Sequence, residues 1–134
     1  MTVDCLWELQ KAVYTALDND ATISAIVNGV YSHVVQGTSY PYIKINISEA
    51  VDWSTKTTIG IKARLSLETY SKERGNKETN DILTQIKQVL DGATLAMTGC
   101  TMISGRYVFS NSELMADGLT WKGNIAFDFL VQED

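Results

Sequence analysis

The segment at residues 59–70 alternates apolar and polar side chains with great regularity. Successive side chains of a strand point to opposite faces of a sheet, so this pattern predicts a strand with one buried and one solvated face. Residues 119–131 alternate in the same way and predict a second such strand. The apolar positions are Ile59, Ile61, Ala63, Leu65, Leu67 and Thr69 in the first segment, and Leu119, Trp121, Gly123, Ile125, Phe127, Phe129 and Val131 in the second.

The buried face of such a sheet needs a cover, and two segments with helical periodicity supply it. The first begins after Asp4, a candidate N-cap, and the second runs from a candidate cap at Asn76 to about residue 90. A shorter helix is expected after Asp20, with Gly29 as its left-handed C-terminal residue. The apolar stripes of the two long helices are Leu6, Leu9, Val13, Ala16 and Leu17, and Thr79, Ile82, Leu83, Ile86, Val89 and Leu90.

Shorter alternating segments predict further strands at residues 30–35, 42–47 and 101–109, separated by polar loops at 48–58 and 111–118. The order is then helix, short helix, three strands, helix and two strands. This order predicts an α+β fold, with helices packed on one face of a mainly antiparallel β-sheet and one long helix crossing over between strands. The length of 134 residues fits one domain over 1–134.

Composition excludes several classes of protein. The net charge of −5 argues against a protein that grips nucleic-acid phosphates, since that needs clustered Lys and Arg. No basic and apolar leader opens the chain, and no apolar run could span a bilayer, so we expect no membrane partner and assembly in a cytoplasm. Cys5 and Cys100 are therefore expected to be reduced thiols, although their spacing alone leaves a disulfide open.

No pattern in the sequence indicates catalysis. His33 is the single histidine and has no recognisable nucleophile beside it, so it is expected to be a partly buried or surface side chain. The glycines fit no nucleotide-binding pattern, and the cysteines and acidic residues fit no metal-ligand spacing. We therefore expect no catalytic residues, no cofactor and no metal.

Loop residues are instead the candidates for contacts with other proteins. Trp53 is an aromatic side chain within a polar loop, whereas Trp7, Trp121, Phe127 and Phe129 lie on apolar faces and are expected in the core. The mixed charges around Lys72 fit either a solvated loop or a charged subunit interface. The predicted interface residues are Asp52, Trp53, Thr55, Lys56, Lys72, Glu73, Arg74, Glu113, Met115 and Asp117.

Several short motifs, in a fixed order, resemble one family. From about Leu6 to Val131 the chain is similar to the tail-completion, or tail-terminator, proteins of long-tailed bacteriophages and gene-transfer agents. The departures are the lack of a strongly basic stretch and the absence of a histidine after Gly99 and Cys100. The motifs are the helix and Gly-Val-Tyr step at 20–31, Tyr-Pro-Tyr-Ile at 40–43, Asp-Trp-Ser-Thr-Lys-Thr at 52–57, 65–71 with Gly75, 95–100, and Asp-Gly-Leu-Thr at 117–120.

The resemblance implies a structural virion protein at the interface of head and tail. Its partners would be copies of itself in a ring, expected to be a hexamer in the virion and a monomer when free, the tail tube protein and a head-completion or connector protein. Viral DNA would pass through the ring without specific binding, and an acidic lumen would suit that passage because it repels phosphate.

Three alternatives stay open at this point. A head-side stopper or adaptor ring of the phage neck would form its ring through the same kind of subunit contacts as a tail-completion ring and would differ in its partner protein. A monomeric protein-binding module would stay a monomer when mixed with tail tubes. A small enzyme would depend on His33, the only histidine available as an acid–base group.

Overall fold

The computed structural model describes the backbone of residues 4–134 and every side chain in that range except those at positions 47 and 48. In chain order the elements are α1 Cys5–Asp18, α2 Ala21–Ile26, β1 Val30–Tyr31, β2 Tyr42–Asp52, β3 Gly60–Ser71, α3 Lys77–Leu90, β4 Cys100–Leu114 and β5 Trp121–Glu133. The predicted order of elements and the α+β class are confirmed.

The strands form one sheet in the order β1-β2-β3-β5-β4. The short β1 is parallel to β2, and every other neighbouring pair is antiparallel. Because β3 and β4 both pair with β5, α3 carries the chain from one side of β5 to the other, as the predicted crossover helix requires. β4 therefore lies at one edge of the sheet, and β2 lies next to the other edge.

Asp4 and Asp20 cap the first two helices as predicted. Their side chains accept hydrogen bonds from the backbone N–H groups of Trp7 and Ile23, at 3.1 and 2.9 Å. Asn76 occupies the N-cap position of α3 without a side-chain cap bond. The expectation that Gly29 ends α2 in a left-handed conformation is wrong. α2 is followed directly by an extended residue after Ile26, and Gly29 has no positive φ.

The alternation in β3 has the predicted consequence for burial. Ala63, Leu65 and Leu67 are fully buried beneath the helices, while their polar neighbours are partly exposed on the opposite side, here called the open face. Phe127 and Phe129 are also fully buried, and burial of a side chain of this size contributes about 1.5–3 kcal/mol. Ile47, predicted on the same face as Ile43 and Ile45, lies outside the described side chains. The helix residues in this core include Leu9, Val13, Leu17, Ile82, Leu83, Ile86 and Leu90.

Three apolar residues expected on the buried face are exposed: Trp7, Ile59 and Leu119. Ile59 has 56% of its surface exposed, because it precedes the first residue of β3. Trp7 has 52% of its surface exposed, because it lies on the side of α1 opposite Leu9 and Val13. Leu119 is also exposed, because it belongs to the turn before β5 and has left the sheet. The prediction that Trp7 belongs to the core is therefore wrong.

Strand lengths differ from the prediction in three places. β1 has two residues instead of six, because the chain leaves the sheet after Tyr31. β2 and β4 are longer and extend through much of the predicted loops at 48–58 and 111–118. Long β3 and β5 strands offer backbone partners along their whole length, and this pairing outweighs the polar composition of those segments.

Cys5 and Cys100 form a disulfide, so the expectation of reduced thiols is wrong. Their Cα atoms are 6.0 Å apart although 95 positions separate them in the sequence. The first turn of α1 lies against the start of β4, and this tertiary contact cannot be read from cysteine spacing. Both side chains are buried.

Candidate assembly surfaces

The predicted interface residues lie at two opposite ends of the sheet. β3 runs from one end to the other, and its 12 residues span roughly 36 Å at about 3.3 Å per residue. The Trp53 end comprises residues 52–59. The hairpin end comprises residues 72–76 and 113–119. The structure thus divides the ten residues into two separate surfaces.

The Trp53 end holds its aromatic side chain in a defined position. The backbone N–H of Trp53 donates to the carbonyl of Gly60 at 2.9 Å, and its side chain remains 44% exposed. A Cβ added at Gly60 would lie 3.2 Å from the indole ring, so the glycine allows the ring to pack against the backbone. This packing leaves one face of the indole available to a partner.

The rest of this loop is ordered by short-range hydrogen bonds. The N–H of Thr55 donates to the carbonyl of Thr58 at 2.8 Å, and the Thr58 N–H donates back to Thr55 Oγ1 at 3.1 Å. The hydroxyl of Ser54 donates to the carboxylate of Asp52, the last residue of β2, at 2.6 Å. Lys56 lies exposed within the turn. These hydrogen bonds give the loop a defined shape.

At the hairpin end, Asp117 organises the turn between β4 and β5. Its carboxylate accepts hydrogen bonds from the N–H groups of Leu119 and Thr120, both at 2.9 Å, and from the Thr120 hydroxyl at 2.7 Å. These bonds hold the pKa of Asp117 below its ordinary value, with the Leu119 N–H as the largest cause. The adjacent Met115 donates its N–H to the Thr120 carbonyl at 2.8 Å and keeps its side chain exposed.

The loop after β3 lies beside this turn. The ammonium of Lys72 lies 4.5 Å from the centre of the Tyr40 ring, and its charge also lowers the pKa of Asp117 slightly. A hydrogen bond with Glu78, followed by the repulsion between the two carboxyl groups, raises the pKa of Glu73. Arg74 is exposed. This loop and the β4–β5 turn form one mixed-charge surface.

Glu113 is exposed on β4, where it faces Lys122 across the strand pair. Its charge contributes to the raised pKa of Lys122, although a hydrogen bond with Glu68 is the larger cause. Glu113 therefore lies on the open face of the sheet near the hairpin end rather than in the loop predicted for it.

The open face carries charges that pair with one another. Arg64 and Asp128 form a two-bond ion pair at 2.8 and 3.1 Å, which lowers the pKa of Asp128. Glu68 lies between Lys122 and Lys44, at 2.9 and 4.0 Å. Burial raises the pKa of Glu68, but the hydrogen bond and charge of Lys122 outweigh that effect and lower it. Ion pairs of this kind reduce the positive charge that is free to hold a phosphate backbone.

No arrangement that performs chemistry stands out among the described residues. His33 is exposed on the segment after β1, and residues 4–134 contain no group of three His, Cys, Asp or Glu side chains placed to hold a metal ion. Burial raises the pKa of Tyr42 to about 12, so its hydroxyl stays protonated near neutral pH. Across the described part of the chain, no helix is long and apolar enough to cross a membrane.

Sequence reasoning missed a set of exposed apolar side chains along the sides of the sheet. Trp7 and Tyr14 stand on the outer face of α1 with Lys11 between them. Their i, i+4 and i+7 spacing is visible in the sequence and marks a second face of that helix. Val51 and Phe109 are exposed on the strands at the sides of the sheet, and no sequence signal separates them from buried strand residues.

Comparison with known proteins identifies the family. The family model for "Tail completion protein gp17" matches residues 11–132, which include both the Trp53 end and the hairpin end. The chain belongs to the tail completion protein gp17 family. The predicted resemblance to tail-completion proteins is thereby confirmed.

A curated relative and a chain of a solved structure match this chain at low sequence identity. The tail completion protein gp17 of Bacillus phage SPP1 is 23% identical over 126 residues, which cover 94% of this chain and 93% of that protein. A chain in the solved structure of the virion of the native gene transfer agent particle superposes on this chain with a TM-score of 0.89 at 20% sequence identity. The superposition covers 98% of this chain and 99% of the virion chain. The α+β sheet with its crossover helix is therefore a fold found in a virion protein.

Proposed function

We propose that this chain is a structural virion protein of a long-tailed phage that completes the tail and joins it to the head. Six copies form a ring at the head-proximal end of the tail tube, end its growth and dock to the capsid connector. Membership of the tail completion protein gp17 family is the observation that carries this proposal. The chain acts without catalysis and without a cofactor.

The separation of the two candidate surfaces supports a joining role. The Trp53 end and the hairpin end lie at opposite ends of the same strands, so a ring with its strands running along the tail would present one to each neighbour. One neighbour is the tail tube protein and the other is the head-completion or connector protein. A protein that joins two assemblies needs two such surfaces.

The charge of the protein supports passage of DNA through the ring. The chain carries a net charge of −5, and three cations of the open face, Lys44, Arg64 and Lys122, lie in ion pairs with carboxylates. A duplex moving past such a wall meets few free cations, so it is not held by the release of counterions. DNA passes through without specific binding.

Deletion of the gene tests the proposed function. Infected cells should then accumulate filled heads and unattached tails, and the titre of infectious particles should fall by several orders of magnitude. Negative-stain microscopy of lysates, with the gene supplied from a plasmid as the control, measures the fraction of attached particles. Attached, infectious particles in the absence of the protein would show that the proposal is wrong.

Trp53→Ala should lower the yield of joined particles about tenfold while the far-ultraviolet circular dichroism stays unchanged. Removal of an exposed aromatic anchor at the centre of a contact typically costs about 1–3 kcal/mol of binding. Val35→Ala, which truncates an exposed apolar side chain outside both candidate surfaces, is the control and should have little effect. An unchanged yield for Trp53→Ala would remove this residue from the interface.

A further inference from the structure

On each side of the sheet, only part of the last long strand is free to pair with another chain. These strands are β2 on one side and β4 on the other. β1 pairs with β2 only at Ile43 and Lys44, so the segment of β2 at 45–52 has β3 as its only neighbouring strand among the described residues. Such an edge presents unpaired backbone N–H and C=O groups and is a template for another strand. On this side of the sheet, the free segment is at the Trp53 end.

On the other side, the chain covers part of β4. The N–H of Gly92 donates to the carbonyl of Gly105 at 2.9 Å, and the Tyr107 N–H donates to the Asp91 carboxylate at 2.9 Å. Register shifts after Met102 and after Tyr107 interrupt the same stretch. These features block strand addition there. No described residue covers β4 at 109–114, toward the hairpin end.

The two free segments therefore lie on opposite sides and at opposite ends of the sheet. Within one copy, the strand registers from β4 through β5 and β3 to β2 place Phe109 at the same height along the strands as Asn46, and Ser110 at the same height as Ile45. β4 and β2 run in opposite directions, so the β4 of one copy can pair antiparallel with the β2 of the next. When a sheet closes into a barrel, its strands tilt and each strand is shifted along its neighbour by roughly one residue. Across the four long strands of each copy, the shift between β4 of one copy and β2 of the next adds up to about four residues.

A shift of this size brings exposed apolar side chains together. Phe109, which is 44% exposed, becomes level with Val51 of the next copy, which is 54% exposed, both on the open face. On the helical side, Leu114 becomes level with Ile45 of the next copy. Ile45 lines a groove of about 390 Å³ together with the exposed Trp7 and Tyr14. With this shift, an apolar side chain of β4 therefore meets an apolar site of the next copy both on the open face and on the helical face of the sheet.

We propose that β4 residues 109–114 of one copy pair antiparallel with the free edge of β2 in a second copy. Phe109 packs on Val51 of that copy, and Leu114 enters its Trp7, Tyr14 and Ile45 groove. Each copy offers one segment and receives the other, so the contacts are head-to-tail and close into a ring. This interface rests on the proposed function, because it is the contact that holds the proposed ring together.

Cysteine cross-linking in particles tests this register. Particles are made by complementing the deletion phage with a Val51→Cys/Phe109→Cys variant, oxidised, and run on a non-reducing gel. Directly opposed antiparallel residues lie within reach of a disulfide, so a ladder of cross-linked chains up to the closed oligomer should appear. The native Cys5 and Cys100 are buried and paired with each other, so they do not add to the ladder.

The matched control is Val51→Cys/Ile103→Cys, because Ile103 is exposed on the covered stretch of the same strand. This pair should give at least tenfold less cross-linked product. Equal ladders from both pairs, or no ladder from particles that contain the test variant, would show that the proposed register is wrong while the proposed function stands. Absence of even the wild-type chain from attached particles would overturn the proposed function and this interface with it.

Discussion

Replacement of Cys100 with alanine is expected to lower the free energy of unfolding by about 3–4 kcal/mol under non-reducing conditions. The disulfide links positions separated by 95 residues in a chain of 134, so it restricts most of the unfolded chain. The chain-entropy model gives a larger stabilisation, close to 4.7 kcal/mol, for a loop of about that length. Removal of a native disulfide from a small domain typically costs about 2–5 kcal/mol, so we expect a loss below the value that the model gives.

Cys5→Ala serves as the partner variant in this experiment. Both substitutions remove the same bond, so the double variant should be destabilised about as much as either single one. Urea denaturation followed by circular dichroism measures each midpoint, and wild-type protein in reducing agent should unfold at nearly the same concentration as the variants. Additive effects of the two substitutions, or a midpoint insensitive to reducing agent, would contradict the assignment of the disulfide as a stabilising bond.

The sequence predicted the elements whose pattern is set by local physics. The alternation around Leu65 and Leu67 defines a strand with one buried face, and the helical stripe that contains Ile82 and Ile86 defines α3. In both cases the side-chain period alone identifies the element and the face that is buried. These are the elements on which the α+β class depends.

Strand ends and the disulfide were not predictable in the same way. Residues such as Asn111 and Glu113 are polar and resemble a loop, yet β5 supplies partners that keep them in β4. Cys5 and Cys100 meet because α1 lies across the sheet, a tertiary arrangement without a trace in local composition. Local sequence thus failed wherever contacts between distant segments decided the outcome.

The sequence predicted the exposure of some candidate interface residues and missed other exposed side chains. Trp53 stood out as an aromatic residue among polar neighbours, and the structure leaves it exposed. Asp117 was also selected, but its carboxylate is occupied by hydrogen bonds of the turn, so its role is to shape the hairpin end. Val51 and Phe109 could not be found, because only the sheet order shows that they stand on free edges.

Phe127→Ala should act mainly on the stability of the fold, and Phe109→Ala mainly on assembly. Phe127 is fully buried and packs against Phe129 and Tyr107, with ring centres 6.0 and 6.1 Å away, so its truncation should cost about 3–5 kcal/mol. Phe109 is 44% exposed on the open face, so its truncation should lower the free energy of unfolding by much less, about 1 kcal/mol. Urea denaturation of both variants measures the difference.

The same two variants separate a defect of folding from a defect of assembly. Phe109→Ala should fold normally and still lower the yield of joined particles by about tenfold, because it removes the apolar partner of Val51 in the next copy. Phe127→Ala should lower the yield only in proportion to the loss of folded protein, and growth at lower temperature should restore part of it. A normal yield from Phe109→Ala would contradict the proposed edge contact, because it would show that assembly does not need the packing of Phe109 on Val51.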